Sequence, residues 1–298
     1  KEKTLQFSYE TMTSRNIGFV SEDEQEKIKN AKVLVIGTGG MGGACIQSLV
    51  RCGIQTFTVA DIDIFEVGNL NRQVFATIDT LGKSKALSTA SKIKEINPKV
   101  NIDVLGKEWP DNLATLLSNH DIIINGMDDI GATLLLYRTA AKCGTTIIDA
   151  YASPLPSVTV VRPNDIRPEV RLGYRTTDTD WTMVTEEQKA DCRLKEALFV
   201  MANSSSANHF KMEYAEDILS GKRSRPSFAP MVITTGNLMA FEAIKLILGR
   251  SDGTDHVGYF FNPWDMKIER PYTGFIGQLR IRYAAWKFNQ IAKNARKI

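Results

Sequence analysis

"KVLVIGTGGMGGACIQSLVRCG", residues 32 to 53, decides how this chain folds. Its opening is an apolar run of strand length ending at Gly37, and its second half repeats apolar residues at helical intervals until Gly53 stops it. Between them, Gly37, Gly39 and Gly42 fit G-x-G-x-x-G, with Gly40 inside the same loop. Missing side chains there let backbone N–H groups and a helix N-terminus approach a phosphate. A tight strand-to-helix turn without a ligand is the plainer alternative, since glycines also serve close packing.

The next stretch favours a nucleotide. "TFTVA" reads as a second strand, and "ADIDIFEVGNLNRQ", residues 60 to 73, leaves it with Asp61 and Asp63, then Asn69, Asn71, Arg72 and Gln73. Asp61 stands about 20 residues beyond the glycines, where an acid commonly binds ribose hydroxyls. A dinucleotide dehydrogenase would use the glycines and Asp61 but leave Arg72, Lys85 and "NGMDD" idle. ATP chemistry at the α-phosphate uses them all. A carboxylate attacking that phosphorus needs fixed positive charge near both the nucleophile and the triphosphate, which Arg72 and Lys85 can supply. Asp128 follows the strand "DIIING" on the same rim and suits Mg²⁺ on the leaving pyrophosphate. Each residue alone has an ordinary reading: Arg72 and Lys85 as surface charges, Asp128 as a turn or helix cap.

Outward from this centre, short apolar strands alternate with helices. A helix over residues 83 to 97 stops at Pro98, "VNIDVL" and "DIIING" are strands, and a helix over 134 to 143 leads into the strand "TTIIDA". The expected fold is α/β, doubly wound, with a mostly parallel sheet covered by helices on both faces. The expected organisation is an N-terminal helical segment (1–30), a nucleotide-binding core (31–162), a polar crossover insertion with one or two helices that selects substrate (163–229), a return helix with closing strands (230–270) and a basic C-terminal helix (271–298).

Composition excludes little and points nowhere else. The 37 basic and 34 acidic residues balance too evenly to argue for nucleic acid. Cys45, Cys52, Cys143 and Cys192 form no C-x-x-C pair, so neither a structural zinc nor a disulfide framework is expected. No apolar run reaches membrane-spanning length, and a cytoplasmic location is the expectation.

These motifs together resemble the ThiF/MoeB/ubiquitin-activating enzyme superfamily of ATP-dependent carboxylate adenylators. "GTGGMGG" is similar to its glycine loop, "ADIDIFEVGNLNRQ" to its ribose and phosphate loop, and "GKSKA" carries Lys85 at its lysine position. In "NGMDD", Asp128 matches the metal-side aspartate, while Asp129 replaces a usual asparagine. "TTGNLMAFEAIKLILG" resembles the helix after the family's crossover loop. The resemblance implies adenylation of a carboxylate by Mg·ATP with release of pyrophosphate, usually at the C-terminus of a ubiquitin-like, sulfur-carrier or peptide substrate. It also implies a homodimer, with Arg15 in "SRNIGF" reaching the partner's ATP. Alternatives within it are modification of a small-molecule or RNA carboxylate, and a nucleotide-binding adaptor without catalysis.

Cys192 falls roughly where relatives place an acceptor thiol, and Lys189, Arg193 and Lys195 beside it are candidates to activate a thiolate. Buried bulk is the simpler role. The acid-free tail "GQLRIRYAAWKFNQIAKNARKI" is expected to pack its aromatic face on its own domain, rather than on an acidic partner or a membrane.

Overall fold

A computed structural model describes residues 6–211, 214, 218, 222–250 and 252–295, with side chains of the last helix described to residue 287. The chain enters through helices α1 (Tyr9–Thr13) and α2 (Glu22–Asn30); the latter starts on a capping box in which Ser21 and Glu24 satisfy each other's backbone N–H groups. The sheet then grows by alternation: β1 (Lys32–Ile36), α3 (Gly40–Cys52), β2 (Thr56–Ala60), α4 (Lys85–Ile96), β3 (Asn101–Leu105), α5 (Leu113–Asn119), β4 (Ile122–Asn125), α6 (Ile130–Cys143) and β5 (Ile147–Asp149). After β6 (Ser157–Val161) come α7 (Pro168–Arg171) and the long α8 (Glu186–Asn203). The chain returns through α9 (Ala229–Ile247), β7 (Tyr259–Asn262), β8 (Lys267–Glu269) and α10 (Gly274–Ala295).

The sheet has eight strands in the order β3-β2-β1-β4-β5-β6-β7-β8. Strands β1 to β5 run parallel, and β6, β7 and β8 add antiparallel pairs. This is the doubly wound α/β architecture. Alternation along β1 shows why its sequence is apolar throughout: Val33 and Val35 join a core with Ile46, Leu49 and Met239, whereas Leu34 and Ile36 face Leu117, Leu136 and Tyr137.

Helix α9 lies against α3 at a close approach that only glycine allows. A Cβ on Gly236 would come within 2.6 Å of Ala44 Cβ and of the Met41 carbonyl oxygen. That contact fixes α3, and with it the turn preceding α3. Beyond α9, the tail departs from expectation. Ala284 is buried and Arg280 Nε donates to the Ala202 carbonyl, but Phe275, Tyr283 and Trp286 are 73%, 63% and 56% exposed. The helix is held by a narrow seam on α8, and its aromatic face is turned to solvent. Residues 296–298 of the tail and 1–5 of the N-terminal segment lie outside the described residues. No helix among the described residues is long and apolar enough to cross a membrane.

Candidate functional site

The parallel order places β1 between β2 and β4, so the helices that follow these strands leave on opposite sides of the sheet and a crevice opens at their carboxyl ends. One cavity of about 1120 Å³ occupies it, walled by Gly37, Gly39 and Gly40 after β1, Asp61 and Asp63 after β2, and Asp128 and Asp129 after β4. Arg72, Gln73 and Lys85 complete that wall.

Three glycines interlock to make the turn. Gly37 takes a left-handed φ of 92°, and a Cβ there would lie 2.4 Å from the Gly126 carbonyl carbon. A Cβ on Gly42 would meet the Gly37 carbonyl oxygen at 1.9 Å, and one on Gly126 would meet it at 2.2 Å. Gly42 therefore stands behind the loop and packs it, not on the cavity wall where a nucleotide contact was expected. Gly126 is a component that sequence reasoning missed; its position directly after a strand, inside "NGMDD", was the available signal.

The polar side chains are held before any ligand arrives. Asp61 Oδ2 accepts from the Thr38 amide at 2.8 Å, and its Oδ1 accepts from the Asp63 amide at 3.0 Å. Lys85 is 8% exposed, and its Nζ donates to Asp63 Oδ2 at 2.9 Å. Arg72 Nη1 is braced by the Gly68 carbonyl and Asn71 Oδ1, each at 2.8 Å. Gln73 is 7% exposed beside Gly39, and its Oε1 is buried with no hydrogen-bond partner among the described residues. A buried orphan acceptor costs about 1–3 kcal/mol, so this wall is polar beyond what folding rewards. Asp128 is exposed to the cavity, and among the described residues no hydrogen bond or ion pair holds its carboxylate.

Asp129 has a different task. Its Oδ1 caps α6 by accepting from the Ala132 amide, and its Oδ2 pairs with Lys189 of α8 at 3.0 Å. Burial acts to raise its pKa, but the amide and the ammonium outweigh that and hold the carboxyl below the usual range. An unexpected carboxylate, Asp149 at the end of β5, sits deeper in the cavity. Its Oδ2 accepts from Tyr137 Oη at 2.7 Å and Asn125 Nδ2 at 3.0 Å. Burial pushes it up to about 6 despite those bonds.

Besides Gly42, three expected site residues stand elsewhere. Asn69 is off the wall, because its Oδ1 accepts from the Glu66 amide and closes a local turn. Arg15 is exposed and lies outside the cavity of its own chain. Cys192 is fully buried among Ile130, Leu134, Val184 and Tyr174, and burial pushes its thiol up to about 11. Of its expected activators, Lys189 pairs with Asp129 and Glu186, and Lys195 with Asp191. This setting suppresses the thiolate, which removes the physical ground for a nucleophile there. Among the described residues, no group of three or more His, Cys, Asp or Glu side chains is placed to hold a metal by itself.

Fold and cavity define a doubly wound α/β protein with a polar crevice at the carboxyl ends of its central strands. A model of the ThiF family matches residues 13–273, and the chain belongs to that family. It is 34% identical over 123 residues to the probable adenylyltransferase/sulfurtransferase MoeZ of Mycobacterium tuberculosis, covering 41% of this chain and 31% of that protein. It is 30% identical over 130 residues to the sulfur carrier protein adenylyltransferase of Thermus thermophilus, covering 43% and 48%. The matched stretches thus span less than half the length of these curated relatives. Among solved structures, E. coli MccB with ATP superposes with a TM-score of 0.60 at 21% identity, covering 84% of this chain and 66% of that one. The E. coli tRNA N6-threonylcarbamoyladenosine dehydratase TcdA gives 0.57 at 20% identity, covering 84% and 99%. At such identities the likeness is one of fold.

Proposed function

We propose that the protein adenylates a carboxylate with ATP. A substrate carboxylate oxygen attacks the α-phosphorus, the bond from that phosphorus to the bridging oxygen breaks, and pyrophosphate leaves. One observation carries this reading: a glycine loop, Asp61, Arg72, Lys85 and Asp128 converge on a single cavity. Family membership and the names of the relatives agree with it.

In this reading the amides of residues 37 to 40 approach phosphate oxygens, and Asp61 accepts from the ribose. Gln73 offers its amide beside Gly39. Lys85, steadied by Asp63, and Arg72, braced by its own loop, stabilise charge that builds on the phosphates during attack. Asp128 suits Mg²⁺, a cation that keeps water and phosphate ligands and needs only one or two carboxylates. When bound, the ion supplies neutralisation of the departing pyrophosphate. The substrate is the carboxylate of a carrier protein or peptide, in keeping with the sulfur-carrier relative and with MccB, solved together with MccA. The working unit is a homodimer, a reading motivated by the exposed Arg15.

ATP–pyrophosphate exchange with candidate proteins and peptides tests the reaction. Exchange is expected to depend on Mg²⁺ and to fall by about a hundredfold in Asp128→Ala. An unchanged rate in that variant removes Asp128 from the mechanism. Calorimetry tests the nucleotide: Mg·ATP is expected to bind at least ~tenfold more tightly than NAD, a difference of about 1.4 kcal/mol. Equal or tighter NAD binding overturns the assignment.

A further inference from the structure

The cavity continues past the nucleotide machinery. Its 1120 Å³ exceeds the roughly 300–1,000 Å³ of a single small-molecule pocket, and the additional wall is built from the segment after β5, from α7 and α8, and from the stretch just before α9. Tyr151, Arg171, Arg193, Glu196 and Arg225 line it. None of them belongs to the residues assigned above to ATP.

Arg171 is the centre of this wall. Its guanidinium carbon lies 5.5 Å from the Tyr151 ring centroid and 5.1 Å from that of Phe199. Its Nε and Nη1 are buried with no hydrogen-bond partner among the described residues. Among the described residues, no carboxylate comes within ion-pairing distance of it, nor of Arg193 or Arg225. The acids on this side of the cavity are already engaged: Glu196 Oε1 accepts from the Ala152 amide at 2.8 Å, Asp149 accepts from Tyr137 and Asn125, and Glu169 pairs with Arg138. Burial raises the pKa of Glu196, while Arg225 and Arg171 act to lower it. Arg171, Arg193 and Arg225 thus share this wall with carboxylates that other groups already hold, and a guanidinium cannot shed its proton to escape burial. Contact with aromatic faces offsets the cost of a partly desolvated cation only in part. An anion entering this part of the cavity would meet Arg171 N–H groups that no carboxylate among the described residues pairs.

We infer that this wall binds a second anionic group of the substrate: an acidic side chain adjacent to the carboxylate that is adenylated. The inference rests on the adenylation reading and narrows its substrate class to acid-ended peptides or protein tails. Arg171 is the binding residue, with Arg193 and Arg225 adding to the same positive field.

The test is pyrophosphate exchange on paired synthetic peptides with free C-termini, identical except for Glu or Gln at the residue before the last. The Glu peptide is expected to exceed its Gln partner by about tenfold in kcat/KM. Arg171→Gln is expected to abolish that preference and Arg171→Lys to keep part of it, with Mg·ATP affinity by calorimetry unchanged in both. Should Arg171→Gln melt well below the parent, Arg225→Gln takes its place and is expected to weaken the preference. Equal exchange of the paired peptides overturns the inference, as does a preference that survives Arg171→Gln. Lost Mg·ATP affinity in Arg171→Lys overturns it too, by assigning the residue to the nucleotide. Exchange with neither peptide while Mg·ATP still binds overturns the acidic subsite and leaves the nucleotide site standing. Failure of the parent to bind Mg·ATP overturns the adenylation reading itself, and this inference with it.

Discussion

Lys189 of α8 reaches Asp129 Oδ2 at 3.0 Å, so the helix that walls the substrate side is tied to the residue next to Asp128. The pair is half in solvent: the lysine side chain is 19% exposed and the aspartate 50%. Its worth in stability is therefore small, about 0.2–1 kcal/mol. Lys189→Ala is expected to lower Tm by no more than about 4 °C. Its larger effect is expected on exchange kinetics, because α8 is released from the loop that carries Asp128. KM for the carboxylate substrate should rise while Mg·ATP affinity stays within about a factor of two. A variant with parental KM would show that the tie carries no positional information.

How much of this was legible in the sequence depends on whether the information was local. The glycine turn, Asp61 and Asp128 announce themselves, because each lies within three residues of a strand end and the crevice lies at strand ends, while Arg72 and Lys85 are legible from the polar loop that runs from β2 into α4. Asn69 is of the right type for a phosphate loop, yet its side chain is spent on the Glu66 amide, a local bond that composition does not distinguish from a ligand contact. Helix α5, seven residues long, is too short for a 3.6-residue period to stand out. Arg171, Glu196 and Asp149 come from three separate segments and meet only in the folded cavity. No spacing rule joins them. The exposed face of α10 is misread for a related reason: its apolar period is present, but the seam on α8 receives only part of it.

Asp149 gives the molecule a pH signature. Its folded pKa, about 6, lies above the ordinary aspartate value of 3.8 because burial disfavours the charged form. Between those two values the folded state binds the additional proton, so this group favours folding below pH 4 and that contribution is lost as pH rises towards 6. The upper bound, from about two pKa units, is roughly 3 kcal/mol. Denaturant midpoints from pH 4 to 7 in the parent and in Asp149→Asn should diverge, with the variant gaining relative to the parent as pH increases. An asparagine can keep its carbonyl towards Tyr137 and Asn125, although its amide then faces the Ala150 N–H that Oδ1 accepts. Parallel midpoints across the range would refute the raised value.

Cys192 is expected to behave as core. Cys192→Ala should leave pyrophosphate exchange within about a factor of two and lower stability by about 1 kcal/mol, the typical cost of trimming a buried side chain. Its thiol, pushed up to about 11 and fully buried, should react with iodoacetamide at pH 7.5 far more slowly than a free cysteine. Peptide mapping of the alkylated native protein reads this directly. Rapid labelling of Cys192, or a reductant-sensitive substrate adduct lost only in this variant, would restore it as an acceptor.

Arg15 lies outside the cavity of its own chain, in a short turn between α1 and α2, so any role at the phosphates has to be played in a second subunit. In the proposed homodimer, Arg15→Ala and Asp128→Ala should each be inactive when pure. In a mixed dimer the Arg15→Ala subunit keeps Asp128 and receives Arg15 from its neighbour, so one complete site returns; the other site lacks both groups. Random reassortment of an equal mixture makes half the dimers mixed, and each has one working site of two. Exchange should therefore recover to about a quarter of the parental rate. Recovery requires subunit exchange, which native mass spectrometry of differently tagged variants can verify. No recovery after verified exchange would mean that Arg15 makes no contribution across an interface.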